Sequence, residues 1–257
     1  MEISLKGHHA LVCGSSQGIG AAIVMQMAKS GAKVTLVARN ESRLLQILSE
    51  LKGDGHKIFV ADFDNAENVS ALIEYISECH PDILINNSGG PSPGPIISAN
   101  ISDFEKAINR HLMVSHQLAM ACLPAMKSSN FGRIINIIST SVKIPIDGLG
   151  VSNTTRGAMA SWAKSLSNEV AQFGITVNNI LPGLTETERL NMLVAKLAND
   201  VLMNEEEMIS SLKHSIPARR FGLPEEMAYT ATFLASHFAA YVNGESIRVD
   251  GGRTGSI

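Results

Sequence analysis

The chain predicts an α/β fold: one domain whose parallel sheet is covered on both faces by helices. Two patterns carry this expectation. Short β-branched runs alternate with longer amphipathic runs along the chain, and strands that alternate with helices pair in parallel through right-handed crossovers. The apolar run Ala10-Leu11-Val12 leads straight into Cys13-Gly14-Ser15-Ser16-Gln17-Gly18-Ile19-Gly20, which reads as strand, tight turn and helix start. With 257 residues, 45% of them hydrophobic, the chain can bury a full core as a single domain over 1–257.

The elements follow in order. The first helix runs from the glycine turn to about Ser30. Lys33 to Ala38 is a strand, Glu41 to Leu51 a helix, and Ile58 to Ala61 a third strand. Asn65 to Cys79 is helical, and Ile83-Leu84-Ile85 is a strand that ends at Asn86-Asn87-Ser88-Gly89-Gly90. A long helix spans Ser102 to about Ser128. Arg133 to Ile138 is the fifth strand, about Val151 to Gln172 a helix, and Ile175 to Ile180 the sixth strand. A polar helical insert, a last helix and a last strand complete the set. No repeat, low-complexity tract or linker divides the chain.

Composition excludes several classes of function. A net charge of −3 with no lysine or arginine run argues against nucleic acid and anionic membrane surfaces. The opening residues lack a basic start with an apolar core, and no apolar run reaches the roughly 20 residues of a membrane span. A cytoplasmic protein is expected. Cys13, Cys79 and Cys122 fit neither a disulfide framework nor a zinc spacing, so reduced, packed thiols and no metal site are expected.

Glycines at 14, 18 and 20 let a pyrophosphate approach the backbone while the helix start offers it free N–H groups. The implied ligand is a dinucleotide, bound at the carboxyl ends of the strands. After the second strand stand Ala38-Arg39-Asn40. An acidic residue there would bond ribose hydroxyls, whereas an arginine accommodates a 2′-phosphate, so NADP(H) is favoured over NAD(H). Asp62, with Phe63 beside it, is placed either to meet the adenine amino group or to cap the next helix.

These residues carry a family resemblance. Gly14-x-x-x-Gly18-Ile19-Gly20, Asn86-Asn87-Ser88-Gly89, Gly132 to Ser139, Pro182-Gly183 with Thr187, Arg219 to Glu226, and Asp250-Gly251-Gly252 stand in the order of a short-chain dehydrogenase/reductase. The resemblance covers the whole chain and is strongest to the 3-oxoacyl carrier-protein reductases. It implies a seven-stranded Rossmann-type sheet, a nicotinamide cofactor, a small-molecule substrate and a homotetramer. It also implies cofactor contacts from Gly14, Ser15, Ser16, Gln17, Gly18, Ile19, Gly20, Arg39, Asp62, Phe63, Asn87, Ser88, Gly89, Arg156, Pro182, Gly183 and Thr187. Residues from about 185 to 215 resemble the family's substrate lid.

The resemblance breaks at the family's catalytic tetrad of asparagine, serine, tyrosine and lysine. Ser139 is kept, but the tyrosine position holds Ser152, the lysine position Arg156 and the asparagine position His111. No other register rescues the motif, since the tyrosines are Tyr75, Tyr229 and Tyr241. An aliphatic hydroxyl is a far weaker acid than a phenol, and an arginine stays charged. Ser152 and Arg156 share one helix face and together present a hydroxyl and a fork of N–H donors. His111, as an imidazole, is the side chain expected to titrate near neutrality and is the candidate proton donor.

Three readings follow. The first is an NADP(H)-dependent reductase of a 3-oxoacyl-like carbonyl compound with a non-standard proton donor. The second is a conjugated ene reductase in which Arg156 and Ser139 stabilise an enolate. The third is a cofactor-binding sensor or structural subunit without chemistry.

Overall fold

In the computed structural model, which describes residues 2–256, the first half of the chain lays down β1 (His9–Cys13), α1 (Gly18–Lys29), β2 (Lys33–Ala38), α2 (Glu41–Glu50), β3 (Lys57–Val60), α3 (Ala66–Cys79) and β4 (Ile83–Asn86). The second half adds α4 (Ile101–Ile108), α5 (Val114–Ser129), β5 (Gly132–Ile137), α6 (Gly150–Val170), β6 (Ile175–Pro182), α7 (Glu188–Asp200), α8 (Glu205–His214), α9 (Pro224–Ala235) and β7 (Ser246–Val249). Met1 and Ile257, the ends of the expected domain, lie outside the described residues.

The strands form one seven-stranded sheet in the order β3-β2-β1-β4-β5-β6-β7, and all of the pairings are parallel. Strand β1 shows why these runs carry no polar alternation. Its Ala10 and Val12 pack with Ile23, Val24 and Met27 of α1 and Met227 and Leu234 of α9. Its Leu11 and Cys13 face the other way, among Leu72 and Ile76 of α3, Leu118 and Cys122 of α5, and Ala163 and Leu166 of α6. A strand buried on both faces must be apolar at every position.

Three of the exceptions to that rule lie in register. Asn86 of β4 pairs with Asn136 of β5, and Asn136 with Asn179 of β6. Each amide donates to the next, Asn86 to Asn136 and Asn136 to Asn179, both at 2.8 Å. Asn179 donates to the Ser246 hydroxyl at 3.0 Å. The ladder links the strands from the carboxyl end of β4 through β5 and β6 to the first residue of β7 and leaves only the Asn86 carbonyl oxygen of its three amides without a partner.

The structure corrects one element. The expected helix from Ser102 to Ser128 is α4 and α5 joined by a π-helical turn, Asn109–Met113. Such turns add a residue to the helical ladder and concentrate at functional positions. Here the turn holds His111, which is only 2% exposed. Residues 185–215 fold as α7 and α8 around a small core of Leu190, Val194, Ala198 and Met208. Among the described residues no helix is long and apolar enough to cross a membrane.

Candidate active site

The order of the sheet reverses between β1 and β4, and open α/β folds bind ligands at this switch point. The glycine turn fills the β1 side of the crevice. Gly14 sits at φ +60°, and its carbonyl accepts a hydrogen bond from the Asn87 amide at 3.2 Å. A Cβ on Gly20 would lie 2.1 Å from that same carbonyl oxygen. The turn is therefore closed by backbone contact that only glycine permits. Helix α1 begins without a side-chain cap, whereas Asn40, Asn65, Thr187 and Asn204 cap α2, α3, α7 and α8. Its first N–H groups are left for an anion.

A groove of about 410 Å³ runs from this turn along the ends of β2 and β4. Of the expected cofactor residues, Gly14, Ser16, Gln17, Gly18, Ile19, Arg39, Asp62, Phe63, Asn87, Ser88, Gly89 and Thr187 line it. Ser15, Gly20, Arg156, Pro182 and Gly183 are not part of this wall. Ser15 is fully buried with its hydroxyl on the Val37 carbonyl at 3.3 Å. Gly183 packs at the end of β6, where a Cβ would come 2.7 Å from the Cα of Asp250. Both shape the crevice from behind. The glycine turn and the uncapped helix start fit the pyrophosphate of a dinucleotide.

At the far end of the groove Arg39 is exposed and stands 3.7 Å from Asp62. Asp62 accepts from the Asp64 N–H at 3.1 Å, while the cap of α3 is Asn65. Asp62 is therefore not the helix cap. Arg43, on the first turn of α2, enters the same groove, bonded to the Gln17 side chain and 3.5 Å from Glu188. It was not among the residues expected from the sequence, although it follows Arg39 by a single helical turn.

Of the altered tetrad, Arg156 reaches the end of β5 and His111 reaches Ser88, just past β4. Ser139 follows β5, and its hydroxyl accepts from the Ser141 N–H at 3.1 Å. Ser152 and Arg156, four residues apart on α6, are each 7% exposed. Arg156 donates to the Ile137 carbonyl at 3.3 Å, and its Nε has no partner. Burial, then the like charge of Arg189, pulls its guanidinium down to about 10, so it remains a cation at neutral pH. Lys143 is exposed beyond this cluster. Pro91, Pro93 and Pro95 wall a neighbouring hollow with His111 and Val151, held by the Gly94 N–H on the Gly148 carbonyl at 2.7 Å.

His111 departs from its expected behaviour. Its Nδ1 shares a hydrogen bond of 2.6 Å with the Ser88 hydroxyl, and its Nε2 is buried without a partner. Burial, followed by the charges of Arg156, Arg110 and Arg189, pushes the imidazole down to about 2. It stays neutral at every physiological pH, so it is not an acid that titrates near neutrality. The sequence could not reveal this, because Arg156 and Arg189 reach it from elements far along the chain.

The same depression sets a pH dependence of stability. Below 6.5, the ordinary value, the unfolded chain binds a proton at His111 that the folded chain refuses. Stability from this site is thus lost as pH falls, by about 1.4 kcal/mol per unit. In urea titrations, wild type should lose stability faster than His111→Gln between 6.5 and about 4.5, with a difference near 1.4 kcal/mol per unit. Parallel losses in the two proteins would show that the imidazole is protonated in the fold.

Sheet order, switch-point crevice and glycine turn together define a dinucleotide-binding α/β protein. A family model described as enoyl-(acyl carrier protein) reductase matches residues 14–254. The 3-oxoacyl-[acyl-carrier-protein] reductase FabG of Rickettsia prowazekii (strain Madrid E) is 34% identical over 250 residues, covering 97% of this chain and 98% of that protein. The L-sorbose reductase of Gluconobacter frateurii, solved with NADPH and L-sorbose, superposes with a TM-score of 0.92 at 31% identity over 100% of both chains. YwfH, an NADPH-dependent reductase involved in bacilysin biosynthesis, superposes with a TM-score of 0.91 at 28% identity over 97% of this chain and 99% of its own. The chain belongs to the short-chain dehydrogenase/reductase family of oxidoreductases.

Proposed function

We propose that this chain is an NADP(H)-dependent reductase of a carbonyl compound. The observation that carries the reading is Arg156, a buried guanidinium one helical turn from Ser152 and bonded to the Ile137 carbonyl, with an Nε that no protein group satisfies. A substrate oxygen gaining negative charge would find fixed N–H and O–H donors there, and such donors contribute most where water is excluded. When bound, the dinucleotide supplies a hydride. Ser139 donates its hydroxyl to the substrate oxygen, Arg156 neutralises the charge that grows on it, and Ser152 offers a second hydroxyl from the same face of α6. His111 holds the Ser88 hydroxyl at the edge of the cofactor groove.

Two hydride acceptors are compatible with this site: the carbonyl carbon itself, and the β carbon of a conjugated enone. A ketone yields an alkoxide that needs an acid at once, whereas an enone yields a delocalised enolate that needs chiefly a cation. With no phenol in the site, a neutral His111 and a charged Arg156, the pocket favours the enone. The test measures NADPH oxidation on matched ketones and enones. Turnover confined to enones supports this acceptor, and equal rates on both return the reaction to the carbonyl carbon. Firm NADPH binding with no turnover on either leaves a cofactor-binding subunit.

Arg39 and Arg43 support the NADP(H) preference, since both guanidiniums reach the groove beyond β2. Replacing Arg39 with alanine should weaken NADPH by about tenfold and leave NADH nearly unchanged, the loss of one charge-assisted contact. An equal loss for both cofactors would remove the 2′-phosphate from the argument. Assembly as a homotetramer belongs to the same proposal and is measured by light scattering of the purified protein.

A further inference from the structure

We propose a zinc site at the amino-terminal ends of the strands, held by the Nε2 atoms of His8 and His237 with Asp82 behind His8. It lies at the end of β1 opposite the glycine turn and is independent of the reductase reading. His8 precedes β1, and His237 opens the 3₁₀ turn that follows α9, 229 residues further along the chain. No sequence spacing links the two, so the sequence predicts no metal. Among the described residues no group of three or more His, Cys, Asp or Glu side chains surrounds one point. The ion therefore takes two imidazoles, and water fills its remaining positions.

The spacing of the pair fits a tetrahedral ion. The two Nε2 atoms stand 3.4 Å apart, long for a hydrogen bond between ring nitrogens. Zinc–nitrogen bonds of about 2.05 Å at a tetrahedral angle separate two donors by about 3.3 Å, whereas the right angle of a square-planar or octahedral ion would need about 2.9 Å. The ring centroids are 5.4 Å apart. Two imidazoles aimed at one tetrahedral ion would have centroids about 5.2 Å apart. Both distances select zinc over copper(II) or nickel(II).

His8 is held ready for that role. Its Nδ1 donates to the Asp82 carboxylate at 2.7 Å, which leaves the lone pair on Nε2; a carboxylate on the far nitrogen is the usual support of a metal-bound imidazole. Asp82 is itself fixed, accepting the His9 N–H at 2.8 Å and donating its own N–H to the His9 carbonyl at 3.1 Å. Phe131 stacks on His8 at 4.3 Å and packs against His237 at 4.9 Å, so one ring steadies both ligands. Arg133, over Phe131 at 4.2 Å, spends its donors on the carbonyls of Gly132, Gly174 and Ser236, and Asp82 offsets its charge. His9 and His56 have both ring nitrogens engaged within the fold. His237 is exposed and His8 half-buried, so an ion reaches this pair from solvent.

The test titrates Zn²⁺ alone into the untagged, chelator-stripped protein in a calorimeter at neutral pH. Wild type should take one ion per chain. Asp82→Asn should bind it about 10- to 100-fold more weakly, because the asparagine amide donates to Nδ1 and leaves the proton of His8 on Nε2, where the ion must sit. His237→Gln, on an exposed turn that tolerates the change, should lose at least as much and decides the matter if Asp82→Asn fails to fold. In thermal melts Zn²⁺ should raise the midpoint of wild type and leave that of His237→Gln unmoved, since only the folded chain holds the pair together. No binding by wild type at about 1 mM Zn²⁺, or equal affinity in wild type and His237→Gln, overturns the proposal. So does an ion that NADPH displaces, because it would then lie in the cofactor groove.

Discussion

Arg156→Met should lower kcat by about 10²- to 10³-fold, the usual cost of removing one preorganised donor from an oxyanion site. It should do so without unfolding the protein. In the free protein the Arg156 cation is buried with no counter-ion, and its fall from 12.5 to about 10 corresponds to about 3 kcal/mol of unfavourable charge burial. Methionine keeps an unbranched apolar stem in the same space and carries no charge. Thermal melts should therefore show a variant at least as stable as wild type, while NADPH oxidation collapses. Arg156→Lys should recover part of the rate, since an ammonium restores the charge but not the fork. If Arg156→Met melted well below wild type with its residual activity intact, the guanidinium would be a packing element and the oxyanion reading would fall.

This pairing of lost rate with kept stability separates function from architecture at one residue. Residues whose polar atoms are spent on the fold behave otherwise. Asn136 gives its amide to Asn179 and receives that of Asn86, so its removal would strand two buried partners. Arg156 has only the Ile137 carbonyl to lose.

The fold was legible because its signals are local. A strand buried on both faces reads as an unbroken apolar run, as in Ile83-Leu84-Ile85, and the glycine turn follows its strand directly. The π-helical turn was not legible, because residues 102–128 keep helical periodicity through it and one extra residue in the ladder leaves no mark in composition. At the site, Ser139, Ser152 and Arg156 were found through the resemblance to the family's tetrad, and Arg156 bonds the Ile137 carbonyl two residues before Ser139. The state of His111 was hidden, since it depends on burial and on arginines from α6 and α7. Arg43 and Arg189 were missed for a related reason: each looks like an ordinary charged residue in the first turn of a polar helix. Arg189 gains meaning only from its approach to Gly90, which lies almost a hundred residues earlier.

Gly20→Ala should weaken dinucleotide binding sharply and destabilise the fold, and the contrast with other glycines says why. Its Cβ would lie 2.1 Å from the Gly14 carbonyl oxygen and 2.9 Å from the Asn87 amide nitrogen. Those two atoms are bonded to each other, so neither can withdraw without opening the turn. The cost should reach the upper part of the about 1–3 kcal/mol of an overpacked site. If the free protein relieves the strain by opening the turn, closing it again around the pyrophosphate costs that energy back, and NADPH affinity drops about a hundredfold. At Gly18, φ is +54° and the nearest atom to a Cβ is the Thr187 methyl at 3.1 Å. Alanine there meets backbone strain of about 1 kcal/mol and a side chain that can move. At Gly157, on the exposed side of α6, a Cβ meets nothing within 4 Å, and alanine should stabilise the helix by up to about 1 kcal/mol. Urea denaturation and NADPH titration of the three variants should rank them Gly157, Gly18, Gly20 from mildest to most severe. A Gly20→Ala protein that bound NADPH like wild type would mean that the pyrophosphate does not rest on this turn, and the cofactor would have to lie elsewhere along the sheet.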